Sequence, residues 1–226
     1  MIAFQGVSKA YTKSSALEDV SFKVSPGEFV ALAGKSGAGK STLIKMLIGE
    51  EKPTKGRVMV GSYEVNKLKD HELPALRRHI GIIFQDFRLL PSKTAFENVA
   101  FALEVAGYGE AYINEIAPQV LDMVGLKDKM SNFPQELSGG EKQRVAIARA
   151  IVGKPEVVIA DEPTGNLDPM NTWEIVKLLL KINELGTTVI LATHDKEIIN
   201  KLEKRVITLD NGRVIRDEEN GKYILV

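Results

Sequence analysis

Cysteine is absent from the 226 residues of this chain, which excludes disulfides, Cys-ligated zinc and iron–sulfur centres and is compatible with a reducing cytoplasm. An excess charge of either sign is missing too. Lys+Arg and Asp+Glu both number 30, so no global positive field gathers nucleic acid, and none is expected as a partner. Long apolar runs are also lacking. Nowhere does the chain approach the roughly eighteen uninterrupted apolar residues of a membrane helix, and the opening MIAFQGVSKAY has no basic stretch leading into a long apolar one. The expectation is a chain that neither spans a membrane nor carries a secretion signal. What is present is ordinary for a globular protein: 44% hydrophobic and 27% charged residues, enough for one substantial core or two small lobes.

Short β-type runs alternate with helical patterns along the chain. EFVALAG (28–34), HIGIIFQ (79–85), EVVIAD (156–161), TTVILATHD (187–195) and KRVITLDNG (204–212) are branched-apolar and almost without alternation. Such runs suit strands buried on both faces of a largely parallel sheet covered by helices. The segments MIAFQGVSKAY, ALEDVSFKVSPGE and GRVMVGSYEV alternate more and are broken by turn residues, which predicts an antiparallel sheet near the front. Between Phe87 and Pro155 the strand signal vanishes. AFENVAFALEVAG and INEIAPQVLDMVGL carry apolar residues at three- and four-residue spacing, so a helical region is predicted there.

The strongest motif is GKSGAGKST, which runs Gly34, Lys35, Ser36, Gly37, Ala38, Gly39, Lys40, Ser41 and Thr42 between a strand and the helical LIKMLIG. It fits the phosphate-binding loop G-x-x-x-x-G-K-[ST] in its required context. In such a loop the main-chain N–H groups wrap the α- and β-phosphates, Lys40 reaches the β- and γ-phosphates, and the Ser41 hydroxyl ligates Mg²⁺. A second element is VVIADEP, an apolar strand ending in paired carboxylates. Asp161 then lies at the C-terminal edge of the sheet, where it can bind Mg²⁺ through water, and Glu162 suits a general base. On its own a DE pair is more often a solvated turn or a cap; after a phosphate loop the balance reverses. A third element, LSGGEKQRVAIARA (137–150), pairs a capping Ser138 with bare backbone at Gly139 and Gly140 before an amphipathic run. That is a second anion-binding helix start, whose apolar face Val145, Ile147, Ala148 and Ile151 reads as packing.

Together GKSGAGKST, Gln85 after IGIIF, LSGGEKQR, VVIADEP, GNLD (165–168) and ATHD (192–195) resemble the motif set of the ATP-binding cassette (ABC) ATPases, in that family's order and over essentially the whole chain. The resemblance implies an α/β P-loop NTPase: one nucleotide-binding domain over 1–226, with a mostly parallel core sheet, an N-terminal antiparallel β-subdomain and an inserted α-helical subdomain at about 87–154. ATP as substrate and Mg²⁺ as cofactor follow from it. So does a head-to-tail homodimer with ATP at the interface, in which Ser138, Gly139, Gly140 and Glu141 of one subunit cap the γ-phosphate held by the other's loop. By the same resemblance Tyr11 stacks on adenine, Gln85 touches Mg²⁺ or water and senses the membrane partner, His194 contacts the γ-phosphate, and Asp168 couples the two sites. For Tyr11 a packed strand-end tyrosine, and for His194 an ordinary strand-end histidine, stand as the alternatives.

Within the family, DEPTGNLD with LSGGE resembles the branch holding lipoprotein-release, macrolide-export and cell-division ATPases. The stretches 84–107 and 171–195 and the short ending NGRVIRDEENGKYILV tilt toward the cell-division members. Those energise an integral, permease-like membrane protein that regulates cell-wall hydrolysis, with no transported substrate required. An exporter ATPase moving lipid-linked or small cargo is the alternative. The expected location is peripheral, on the cytoplasmic face of the plasma membrane, and the partner is expected to dock near Phe87, Leu89, Leu90 and Phe96. The coiled coil of chromosome-handling relatives and the paired cassettes of ribosomal ones have no counterpart in the sequence.

Overall fold

The computed structural model describes residues 1–11 and 14–222, without the side chains of Ser14 and Ser15; the final residues of the ending quoted above lie outside the described residues. The chain divides into two compact units, Met1–Arg77 with Asn183–Val226, and Arg78–Ile182. The first unit opens with β1 (Ile2–Tyr11) and β2 (Ser14–Val24), followed by β3 (Phe29–Ala33), α1 (Lys40–Leu47), β4 (Lys55–Val60), the short β5 (Tyr63–Glu64) and α2 (Leu73–Arg78). β2, β1, β4 and β5 make an antiparallel sheet in that order, the one expected from alternation. Phe4 and Phe22 are register partners in it and stack at 4.7 Å, a cross-strand pair of the kind that fixes register. α1 buries Leu43, Ile44, Met46 and Leu47, each contributing about 1.5–3 kcal/mol on burial.

The second unit contains β6 (Ile80–Phe84), α3 (Ala95–Ala106), α4 (Glu110–Met123), α5 (Gly139–Ile151), β7 (Val157–Asp161) and α6 (Pro169–Glu184). β6 and β7 pair in parallel, Ile80 opposite Val157 through Phe84 opposite Asp161. No strand interrupts the helices between them among the described residues. α3 starts where Thr94 caps it and Glu97 closes a reciprocal capping box, and it stops at Gly107 in the left-handed region, signals that end a helix at both sides. Fully buried Asn98 then pins the preceding loop: its Nδ2 donates to the carbonyls of Leu90, Lys93 and Thr94, and its Oδ1 accepts from the Leu90 N–H. On α5, Val145, Ile147 and Ala148 are buried as expected, while Ile151 is half-buried.

The first unit resumes with β8 (Thr188–Thr193), α7 (Lys196–Leu202), β9 (Arg205–Asp210) and β10 (Arg213–Glu218). Its second sheet runs β10, β9, β3, β8, with β3 parallel to both β8 and β9 and β10 antiparallel at the edge. β3 and β8 are buried throughout, as non-alternating apolar runs require. β10 was not anticipated from the sequence. It is charged and mostly exposed, and the edge of a sheet tolerates such a strand. The α/β class with a mostly parallel sheet and a separate antiparallel one therefore holds.

Candidate functional site

β3 ends at Ala33 and delivers the chain into the loop that opens α1. Within that loop the Ala38 N–H donates to the Lys35 carbonyl at 3.1 Å, and the Ala38 carbonyl accepts from the Gly212 N–H at 3.1 Å. Gly39, the residue before α1, has φ 109°; a Cβ there would come within 2.8 Å of Leu17 and 2.9 Å of the Ala16 carbonyl. Only glycine serves both demands. Lys35, Ser36, Gly37 and Ser41 are exposed, Thr42 is half-buried, and Gly34 and Ala38 are buried. The helix itself has no side-chain cap and no acid in its first turn, so its leading N–H groups and positive dipole end are left for an external anion. Lys40 is 6% exposed and donates Nζ to the Gly34 carbonyl at 2.7 Å and the Lys35 carbonyl at 3.3 Å. A buried ammonium turned into its own loop completes an electropositive cradle.

Tyr11 closes β1 at 42% exposure, with the Lys9 ammonium 5.1 Å from its ring centroid, so it is an exposed strand-end residue and not a packed one. His194 is exposed at the first position after β8, and the following Asp195 caps α7 through the Glu197 and Ile198 N–H groups.

In the second unit the parallel register sets Phe84 against Asp161, so Gln85 and Glu162 step off the same end of the strand pair. Glu162 has φ 49°. A non-glycine residue in the left-handed region costs about 1–3 kcal/mol and marks sites where geometry is imposed. From the loop that follows, the Asn166 amide donates to the Gln85 carbonyl at 3.0 Å. Within this unit Asp161 and Gln85, at the same end of the β6–β7 pair, offer carboxylate and amide oxygens, hard donors of the kind that suit Mg²⁺.

At the start of α5 Ser138 is the cap that its position implies, and Glu141 closes a reciprocal capping box. Ser138 Oγ accepts from the Glu141 N–H at 3.3 Å, and the Glu141 carboxylate accepts from the Ser138 N–H at 2.8 Å. That main-chain donor, together with burial, sets the Glu141 carboxyl, and the net result lies below its ordinary value. The helix therefore carries its own anion. The S-x-x-E spacing announces this capping box in the sequence. Gly140 is equally constrained: a Cβ there would meet the Asn171 side chain at 2.2 Å, so its bareness serves packing against α6. Gly139, by contrast, has ordinary space, with the nearest atom of Leu167 at 3.4 Å.

Asp168 caps α6, accepting from the Met170 and Asn171 N–H groups at 3.0 and 3.1 Å, and the Asn171 side chain holds its carboxyl below the usual range. Asp before Pro169 is a helix-start signal that the motif reading passed over. Asn166, Asn171 and Arg149 were likewise not singled out. Nothing in local spacing marks them, because their partners are distant in sequence.

A glycine-rich strand-to-helix loop with an inward lysine and a carboxylate pair ending a second parallel strand define a P-loop ATPase. The ABC transporter family model matches residues 17–165, and the chain belongs to that family, as an ABC ATPase. Among curated relatives it is 54% identical to the cell division ATP-binding protein FtsE of Bacillus subtilis, over 99% of this chain and 98% of the relative. It is 52% identical to that of Mycobacterium tuberculosis over 99% and 98%. Among solved structures it resembles the dimeric post-hydrolysis state of the ATP-binding cassette MJ0796 bound to ADP and Pi, with 36% identity, TM-score 0.88 and coverage of 99% and 100%. It also resembles cbiO1 from Clostridium perfringens, part of the ABC transporter complex cbiONQ, with 34% identity, TM-score 0.89 and coverage of 97% and 88%.

Proposed function

We propose that this chain is the ATP-hydrolysing subunit of a cell-division membrane complex, an FtsE-type ATPase working as a head-to-tail dimer on the cytoplasmic face of the plasma membrane. Its partner is an FtsX-like membrane protein through which ATP turnover regulates cell-wall hydrolysis. The observation that carries the reading is the 52–54% identity, over 99% of the chain, with proteins named for cell division. A dimeric cassette neighbour holding ADP and Pi supports ATP at a subunit interface.

In this reading the Gly34–Thr42 loop binds the phosphates through its N–H groups and Lys40, and Tyr11 stacks on the adenine. Ser41, Asp161 and Gln85 hold Mg²⁺, which when bound neutralises charge on the β- and γ-phosphates. Glu162 takes the proton of the attacking water, and its imposed backbone fixes where the carboxylate stands. His194 contacts the γ-phosphate. Ser138, with its Oγ lone pair engaged by the Glu141 N–H, turns its proton outward as a donor to the nucleotide of the other subunit, and Asp168 links the two sites. Phe87, Leu89, Leu90 and Phe96, all half-buried, border the partner's seat.

Glu162→Gln tests the reading. Loss of a general base costs about 10²- to 10⁴-fold in rate, so the variant should bind ATP, scarcely hydrolyse it and accumulate as an ATP-bound dimer. An undiminished steady-state rate contradicts the assignment. Membrane fractionation with and without an FtsX-like partner tests the location: retention without any such partner contradicts it.

A further inference from the structure

The turn after β6 is bent into a conformation that its own sequence does not favour. Phe87 and Arg88 are consecutive non-glycine residues in the left-handed region, at φ 58° and 48°. Bulky residues there are strained, and such strain persists only when surrounding groups over-determine it. One side chain holds the strained pair itself, and a second holds the residue that leads into it. From α5, Arg149 donates Nη1–H to the Arg88 carbonyl at 2.6 Å and Nη2–H to the Phe87 carbonyl at 3.0 Å. A rigid guanidinium fork can hold two successive carbonyls at once, which a lysine cannot. From the loop after β7, Asn166 donates Nδ2–H to the Gln85 carbonyl at 3.0 Å, and its Oδ1 accepts from Gln85 Nε2 at 3.4 Å. Its neighbour Gly165 leaves space for the glutamine, since a Cβ there would stand 2.7 Å from Gln85 Nε2. Arg88 itself lies over the Phe84 ring, 3.7 Å from the centroid, and so fastens the turn back onto the end of β6.

We infer that Asn166 and Arg149 are positioning residues for ATP hydrolysis, Asn166 aiming the Gln85 amide and Arg149 holding the strained backbone that follows it. Both act through Gln85, so the inference rests on the role given to Gln85 above. It also has a structural consequence. The glutamine is tied on one side to the loop that runs into Asp168, and on the other to the helix capped by Ser138, so a shift of either element moves it.

Steady-state ATPase of the protein tests the inference, using Asn166→Ala, Arg149→Lys, Gln85→Ala and the double variant Gln85→Ala/Asn166→Ala. Misplacing a catalytic group by about an ångström costs up to about a hundredfold. Asn166→Ala and Arg149→Lys should therefore lower kcat by about ten- to a hundredfold, with KM for ATP unchanged and the melting temperature within a few degrees of the parent. The double variant should be no slower than Gln85→Ala alone, and Asn166→Asp, which keeps the acceptor for Nε2, should recover part of the loss. If Gln85→Ala slows turnover while Asn166→Ala and Arg149→Lys do not, or if their effects multiply in the double variant or fall on KM, the positioning role is wrong. If Gln85→Ala itself leaves kcat unchanged, it is the role of Gln85 that fails.

Discussion

Two helix starts in this chain look alike in sequence and are built to opposite ends. Gly39-Lys40-Ser41 opens α1 with no side-chain cap and no acid in the first turn. Ser138-Gly139-Gly140-Glu141 opens α5 with a closed capping box, its own carboxylate on the Ser138 N–H. The buried polar groups nearby differ in the same sense. Lys40 lies buried against two loop carbonyls, whereas the amide of Gln143, fully buried on α5, has no hydrogen-bond partner among the described residues. A helix end left open offers its full dipole to a ligand; one already capped by a carboxylate offers a hydroxyl held in place beside a negative charge. In the proposed function the first holds phosphate within its own subunit, and the second meets the nucleotide of the other.

The largest expected effect comes from adding one methyl group at each start. Gly39→Ala forces an alanine to φ 109° against the Ala16 carbonyl, so it should cost about 1–3 kcal/mol of stability and abolish ATP binding by the monomer. At Gly139 the added Cβ meets ordinary van der Waals space, and replacing glycine with alanine where the backbone allows it gains about 0.4–1 kcal/mol by restricting the unfolded chain. Gly139→Ala should keep ATP binding and melt no lower than the parent. Isothermal titration and thermal melts check both. Equal losses at the two positions would erase the distinction.

A smaller effect sharpens it. Glu141→Gln keeps an acceptor for the Ser138 N–H and removes the charge, and an anion at a helix N-terminus is worth about 0.3–1 kcal/mol. Because the folded carboxyl lies below its usual 4.5, this stabilisation is fully present above pH 4.5 and is lost as pH falls through the lower folded value. The gap in melting temperature between parent and variant should therefore be constant near neutrality and close in acid. A gap independent of pH would mean that the carboxylate is not what caps α5.

Much of this was legible in the residues. β3, β7 and β8 announce themselves because strands buried on both faces have no polar positions to alternate, and the phosphate loop announces itself because its glycine and lysine spacing is mechanically required. What stayed hidden depends on partners remote in sequence. β10 carries Arg213, Arg216, Asp217 and Glu218, a charged composition without an apolar strand signal, and it becomes a strand by pairing with β9. Phe87 and Arg88 give no turn signal, since neither is glycine or asparagine and their conformation is imposed by Arg149. Gly140 was legible as glycine but not for its reason, which is the Asn171 side chain on another helix.

A substitution at Gly140 would disturb Asn171 and Asp168 whatever the helix start does. Ser138 is exposed and can be altered alone. A mixed dimer of a Lys40→Ala subunit with a Ser138→Arg subunit, made with Glu162→Gln in both to arrest turnover, retains one intact loop facing one intact helix start. Occluded nucleotide per dimer, measured after rapid desalting in ATP and Mg²⁺, should be one for the mixed dimer and none for either parental homodimer. Two nucleotides per mixed dimer, occlusion by the Ser138→Arg homodimer, or no occlusion by the mixed dimer would contradict a site shared between subunits.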